Sequence, residues 1–216
     1  MEFSAIIIDN VKKPKEVVPM KQLIISIGRE SGSGGHEIAE KLAQRFDIPF
    51  YDNNLLTEIA KDRNLDEETL RKYEEAPKSR FFSRSLRGVS NSVEASVTAL
   101  QTARLRTKSN RGDSFVIVGR CAESILADNP NLISIFISGD PDTRIHRLME
   151  RHGFSAREAA DYMTKQDRRR RAYHDENCSG RWGDSANYHL TINSSLLGID
   201  GTVDFLELYI RRRRGE

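Results

Sequence analysis

The sequence has almost no cysteine. Cys121 and Cys178 are the only two in 216 residues, and no C-x-x-C spacing is present. The expectation is therefore no disulfide framework, no zinc site and a reducing, cytoplasmic setting. Long apolar runs are missing too, and no stretch approaches the length of a membrane span. Phe3 to Ile8 is too short for the apolar core of a signal peptide, and Glu2 stands where a basic start belongs. Net charge is only +2, so the chain as a whole is no polyanion binder. His36, His146, His152, His174 and His189 show no metal-ligand spacing, so no protein-held metal is expected.

What is present suits one well-charged globular domain, with 38% hydrophobic and 31% charged residues. Residues 1–21 read as a tail containing Pro14 and Pro19, with Met20 an alternative start; residues 213–216 form a second tail. Between them, β-branched apolar runs alternate with helical periodicity. Strands are expected at Leu23–Ile27, Ile48–Tyr51, Phe115–Val118, Leu132–Ile137 and Tyr188–Ile192. Helices are expected from Gly35 to Phe46, Asn54 to Arg63, Ala122 to Leu126, Asp142 to Arg151, 154 to 176 and Gly201 to Arg213. Residues 64 to 111 are polar and helical without a convincing strand, and read as an insertion that is partly mobile around Pro77 to Asn91. This alternation predicts an α/β fold: a parallel sheet covered on both faces, with ligands beyond the C-terminal strand ends.

Three segments fall at those ends. The first is Gly28-Arg29-Glu30-Ser31-Gly32-Ser33-Gly34-Gly35-His36-Glu37. Glycines let backbone N–H groups turn toward an anion, and the following helix N-terminus adds partial positive charge. Arg29, Ser31, Ser33 and His36 are placed to supplement those donors, with Gly32, Gly34 and Gly35 forming the cradle. A P-loop reads G-x-x-x-x-G-K-[ST]. Here Gly35 stands at the lysine position and no hydroxyl residue follows. The second segment is Tyr51-Asp52, where Asp52 suits either a ribose, base or water-bridged magnesium contact or a helix N-cap. The third is Gly119-Arg120, whose arginine can fork onto a phosphate or pair with a surface carboxylate.

Further along, Lys165-Gln166-Asp167-Arg168-Arg169-Arg170-Arg171 sets Asp167 and Arg170 on one helix face. An arginine aimed into a cleft can stabilise a transferring phosphoryl group; a solvated charged helix is the plainer reading. Asp140 before Pro141 suits a helix cap. Arg211 to Arg214 close a helix, where positive charge complements the dipole.

These stretches together resemble the cytidylate kinase-like family of P-loop nucleoside monophosphate kinases. The match rests on Ile27 to Gly35, Pro49-Phe50-Tyr51-Asp52, Val116 to Ala122, Asp167 with Arg170 and Tyr173, and Trp182-Gly183-Asp184 followed by Asn187-Tyr188. The resemblance implies a three-layer α/β/α P-loop NTPase-like core with a five-stranded parallel sheet. It also implies a helical NMP-binding insertion at 53–111 and a lid at 152–184, within one domain spanning 22–212. Gly32 to Gly35 become the ATP cradle, Arg120 an acceptor contact, and Asp167, Arg170 and Lys165 the lid groups. The chain departs from the pattern in several places: the loop is one residue longer, Met163 stands at the first lid arginine and Cys121 at the aspartate after Gly-Arg.

The expected activity is γ-phosphoryl transfer from ATP, with Mg2+, to CMP or another small acceptor. Arg29 or Lys165 would supply the missing lysine charge. The competing expectation is a catalytically impaired nucleotide sensor or scaffold. RNA binding ranks a distant third, because the arginine blocks lack interleaved aromatics. The expected partners are nucleotide substrates and a second copy in a homodimer, with no membrane.

Overall fold

The structure, a computed structural model, describes residues 22–52, 54–63, 68 and 93–216. The expected N-terminal tail, and the segment around Pro77 to Asn91, lie outside the described residues. Five parallel strands form one sheet in the order β2-β3-β1-β4-β5. They are β1 (Ile24–Arg29), β2 (Phe50–Tyr51), β3 (Phe115–Val118), β4 (Leu132–Ser138) and β5 (Leu190–Asn193). The central strand β1 pairs Ile25 with Val116 on one side and with Ile133 on the other. Burial on both faces is why β1, β3 and β4 are near-continuous runs of Ile, Val, Leu and Phe.

Helices cover both faces. On one face, α1 (Gly35–Phe46) and α7 (Gly198–Arg214) pack Ile38, Leu42, Val203, Leu206 and Ile210 against Ile25, Ile27, Val116 and Ile135. On the other, α2 (Asn54–Arg63), α3 (Val93–Asn110) and the short α4 (Ala122–Ile125) enclose Leu55, Ile59, Val97 and Leu105 around Phe115 and Ile117. Alternate residues of one strand feed these two cores, as the two-residue pleat requires. This is the expected three-layer α/β/α architecture. Beyond it lie α5 (Pro141–His152) and α6 (Ala156–Asn177), which pack on each other.

Local chemistry sets the boundaries. α1 opens on Gly34 at φ 78°, a left-handed conformation that favours glycine. α6 opens on a capping box, with Ser155 accepting from the Glu158 N–H and Glu158 reaching back to the Ser155 N–H. Asp140 does sit at the α5 N-cap position with Pro141 in the first turn, but its carboxylate accepts from Asn193 Nδ2 at 2.8 Å instead of capping the helix.

Most boundaries move by one to three residues from expectation, with β2 beginning only at Phe50 and α7 already at Gly198; two of these shifts and one covalent bond bear on the site. β1 runs on to Arg29, which pairs with Ile137, so this arginine belongs to a strand and not to the loop. β5 starts at Leu190 instead of Tyr188, because Asp184 caps a 3-10 turn over Ser185–Asn187. Cys121 and Cys178 form a disulfide across 57 residues, with Cα atoms 6.1 Å apart. The expectation of no disulfide therefore fails. Spacing carried no signal because the pairing depends on α6 returning its C-terminal end to the turn after β3.

Candidate phosphate-binding site

Everything of chemical interest gathers at the C-terminal ends of β1, β2 and β3. The glycine loop there is braced from outside by α5. Arg144, only 6% exposed, donates from Nε to the Ser31 carbonyl at 2.7 Å and pairs with Glu30 Oε2 at 3.2 Å. Its Nη2 bonds the Asp167 carboxylate. Asp167 in turn accepts the Ser31 N–H at 2.7 Å. Arg147 and Ser194 both donate to the Ser33 carbonyl, at 3.0 and 2.5 Å. The Ser33 hydroxyl donates to the Glu30 carbonyl at 2.9 Å and accepts the Gly35 N–H, so it is spent inside the loop. Gly32, at φ 76°, passes so near α5 that a Cβ would lie 2.5 Å from the Arg144 carbonyl oxygen.

The other half of the site is built around Asp52. His36 Nε2 donates to Asp52 Oδ2 at 2.9 Å and meets Phe50 edge-to-face. Asp52 thus pairs with His36 through one carboxylate oxygen. Burial alone would raise its carboxyl, yet the His36 hydrogen bond and the charges of Arg29 and Arg120 hold it below the usual range. Arg29 threads between two glycines. A Cβ on Gly35 would lie 2.5 Å from Arg29 Cβ, and one on Gly119 would collide with Arg29 Nη1. Arg170, from α6, donates to the Arg29 carbonyl at 3.4 Å.

Three guanidiniums therefore crowd around Asp52, with Asp167 beside Arg170 and Glu123 also acting on Arg29. Burial, then the neighbouring charges of Arg170 and Arg120, push Arg29 down to about 9, against the opposing pull of Asp52. Burial likewise lowers Arg170 despite the nearby Asp167. Arg29 Nε is shut off from solvent with no hydrogen-bond partner. A buried donor left unmade is unfavourable by about 1–3 kcal/mol, more when charged. An anion accepting from that donor would relieve both the unmet bond and the charge crowding.

The turn that supplies Arg120 is unusual. Gly119, Arg120 and Cys121 all have positive φ, at 74°, 61° and 54°. Two consecutive non-glycine residues in this region are unfavourable by about 1–2 kcal/mol each. The turn is held by the disulfide at Cys121, and behind it Glu123 pairs with His174 of α6 at 3.0 Å. That pair is buried, and the Glu123 hydrogen bond raises His174 against the effect of burial.

Of the residues expected from sequence, Arg29, His36, Asp52, Arg120 and Arg170 come together, and Asp167 joins the loop at Ser31. Lys165 does not join them. It is exposed on α6, two residues and so about 200° around the helix from Asp167. Sequence reasoning missed Arg144, Arg147, Glu123 and His174. His174 shares a helix face with Arg170 at i+4, which was a usable signal.

A parallel sheet in this order, with a glycine loop after β1 and arginines at the strand ends, defines a P-loop kinase fold. The chain belongs to the cytidylate kinase-like family, whose model matches residues 24–196. Among solved structures it is similar to an uncharacterized protein from Eubacterium ventriosum ATCC 27560, at 40% identity and a TM-score of 0.69, over 88% of this chain and 98% of that one. It also resembles shikimate kinase from Bacteroides thetaiotaomicron in fold, at 15% identity and a TM-score of 0.51, over 88% and 98% of the two chains. No curated protein matches the sequence. Among the described residues no helix is long and apolar enough to cross a membrane.

Proposed function

We propose that the protein is an ATP-dependent phosphotransferase acting on CMP or another nucleoside monophosphate or small acceptor. One observation carries this reading: Arg29, with its unpartnered Nε, sits beside Arg120, Arg170 and Asp52 at the sheet's C-terminal edge. Surplus fixed positive charge is what stabilises a phosphoryl group in transfer. Arg29 stands in for the absent P-loop lysine, and Lys165 is too far around its helix to do so in this conformation. Arg120 holds the acceptor's anionic end. Arg170 and Asp167 lie on α6, the lid helix, so closing α6 over the site would exclude water from the reacting phosphates.

The residues fit the phosphates of ATP, since the loop carries two left-handed glycines and Arg29, at its start, holds an orphaned buried donor. They offer no ready-made magnesium cage. Mg2+ commonly binds through one carboxylate plus substrate phosphates, and Asp52 would hold it through water. When bound, the ion neutralises charge on the β- and γ-phosphates.

A second reading, a nucleotide sensor or scaffold, is favoured by Asp167 sitting on the Ser31 N–H, where a phosphate oxygen would compete with it. Magnesium-dependent ADP release, assayed across nucleoside monophosphates, separates the two. Turnover with at least one acceptor is the expected result. Saturable ATP binding without turnover would favour the sensor.

A further inference from the structure

We propose that Cys121 and Cys178 form a reversible thiol–disulfide site that governs the arginine cluster. The inference rests on the anion site proposed above for its functional consequence, but not for its chemistry. The bond joins two segments that each deliver an arginine to that site. Cys121 follows Arg120 directly, in the left-handed turn after β3. Cys178 caps the C-terminal end of α6, the helix that carries Asp167 and Arg170. From Arg170 to Cys178 is about 12 Å along the helix axis, a lever short enough for the tether to fix the arginine's position. The same junction is also tied by the His174–Glu123 pair, which is electrostatic.

These are the only cysteines in the chain, so neither has a competing partner. Cys121 is 4% exposed, whereas Cys178 is only partly buried and can be reached by a small thiol. A thiolate of a dithiol reductant attacks the Cys178 sulfur, and the Cys121 sulfur leaves and takes up a proton. The reductant's second thiol then displaces Cys178, leaving two protein thiols and an oxidised cyclic reductant. A low-molecular-weight disulfide of the glutathione class reverses the change and is itself reduced to two thiols.

In the oxidised protein the strained Arg120–Cys121 turn and the end of α6 are held together, and the arginines converge. Reduction removes the covalent restraint on this strain and leaves non-covalent contacts, the His174–Glu123 pair among them, to oppose it. The turn relaxes, α6 loosens, and anion affinity falls.

The test uses full-length protein, oxidised or reduced with millimolar dithiothreitol, beside C178S and the C121S/C178S double variant. Amide hydrogen exchange over residues 167–177 is followed in each, together with the affinity for inorganic pyrophosphate. Reduction should add two free thiols and quicken exchange in α6 by about tenfold, through lost local protection. It should weaken pyrophosphate binding severalfold. Both serine variants should match the reduced wild type in either redox condition.

A pair that resists dithiothreitol in the folded protein overturns the proposal, as does reduction with unchanged α6 exchange. Pyrophosphate binding that is identical in both states overturns the coupling. One zinc retained by the reduced protein would assign Cys121, Cys178 and Glu123, whose ligand atoms lie within 4.8 Å of one another, to a metal instead. No pyrophosphate binding in either state would sink the proposed function, while α6 exchange would still decide the redox site.

Discussion

The two halves of the site are charged in opposite ways. On the α5 side, opposite charges are paired: Arg144 serves Glu30, the Ser31 carbonyl and Asp167 together. On the β3 side, Arg29, Arg120 and Arg170 surround the carboxylate of Asp52, itself shared with His36, with Asp167 3.9 Å from Arg170 and Glu123 also acting on Arg29. The loop half is closed electrostatically and acts as scaffold. The arginine half holds the unmet Arg29 Nε donor, which a ligand's charge can satisfy. The glycine loop drew attention in the sequence, but the surplus charge lies just behind it.

The comparison breaks first at Arg144. R144A removes the buried cation that Glu30 and Asp167 share, leaving Asp167 with only Arg170 at 3.9 Å. It should destabilise the fold by about 3–5 kcal/mol, read from denaturant unfolding. A loss below about 1 kcal/mol would mean that the loop does not depend on this bracing.

On the other side the expected loss is of binding, not of folding. R29A should weaken pyrophosphate or CMP binding by about 10- to 100-fold, the range of one or two charge-assisted hydrogen bonds. Its melting temperature should hold or rise, because a crowded buried cation has gone. A variant that melts early yet binds normally would make Arg29 a scaffold residue and erase the contrast.

D52N sharpens the same point with a smaller effect. Losing the Asp52 carboxylate from among the arginines should tighten anion binding severalfold. Weaker binding would show that Asp52 orders the cluster more than it neutralises it. Asp52 lies below its unfolded value, so its share of stability is present above about pH 4 and is lost as pH falls through the depressed folded value.

The smallest effect is the pH response of the Glu123–His174 pair. Because His174 is raised in the folded state, its stabilising contribution is complete below its unfolded value near ~6.5 and is lost as pH rises through the folded one. The gap in melting temperature between wild type and H174Q should therefore narrow from acid to alkaline pH. A gap that stays constant would leave the pair without a pH-linked role.

Much of the fold was legible because a sheet buried on both faces needs continuous apolar strands, and amphipathic helices announce their period. α1 and α2 have the bounds their patterns predicted, and β3 matches residue for residue. The strand ends were less readable, since Arg29 lengthens β1 through a backbone ladder that its charge conceals. In the site, Arg29, Arg120 and Asp52 were visible because each sits beside a strand end that could be read directly. Arg144, Glu123–His174 and the disulfide were not, because all depend on how α5 and α6 fold back over the sheet.

The most direct test of the arginine cluster is calorimetric titration of CMP and of inorganic pyrophosphate into wild type and R29A/R120A. The cluster predicts saturable heat with the wild type for at least one ligand, weakening as salt is added, and none with the double variant. Equal binding by both proteins, or no heat from either ligand with the wild type, would contradict it.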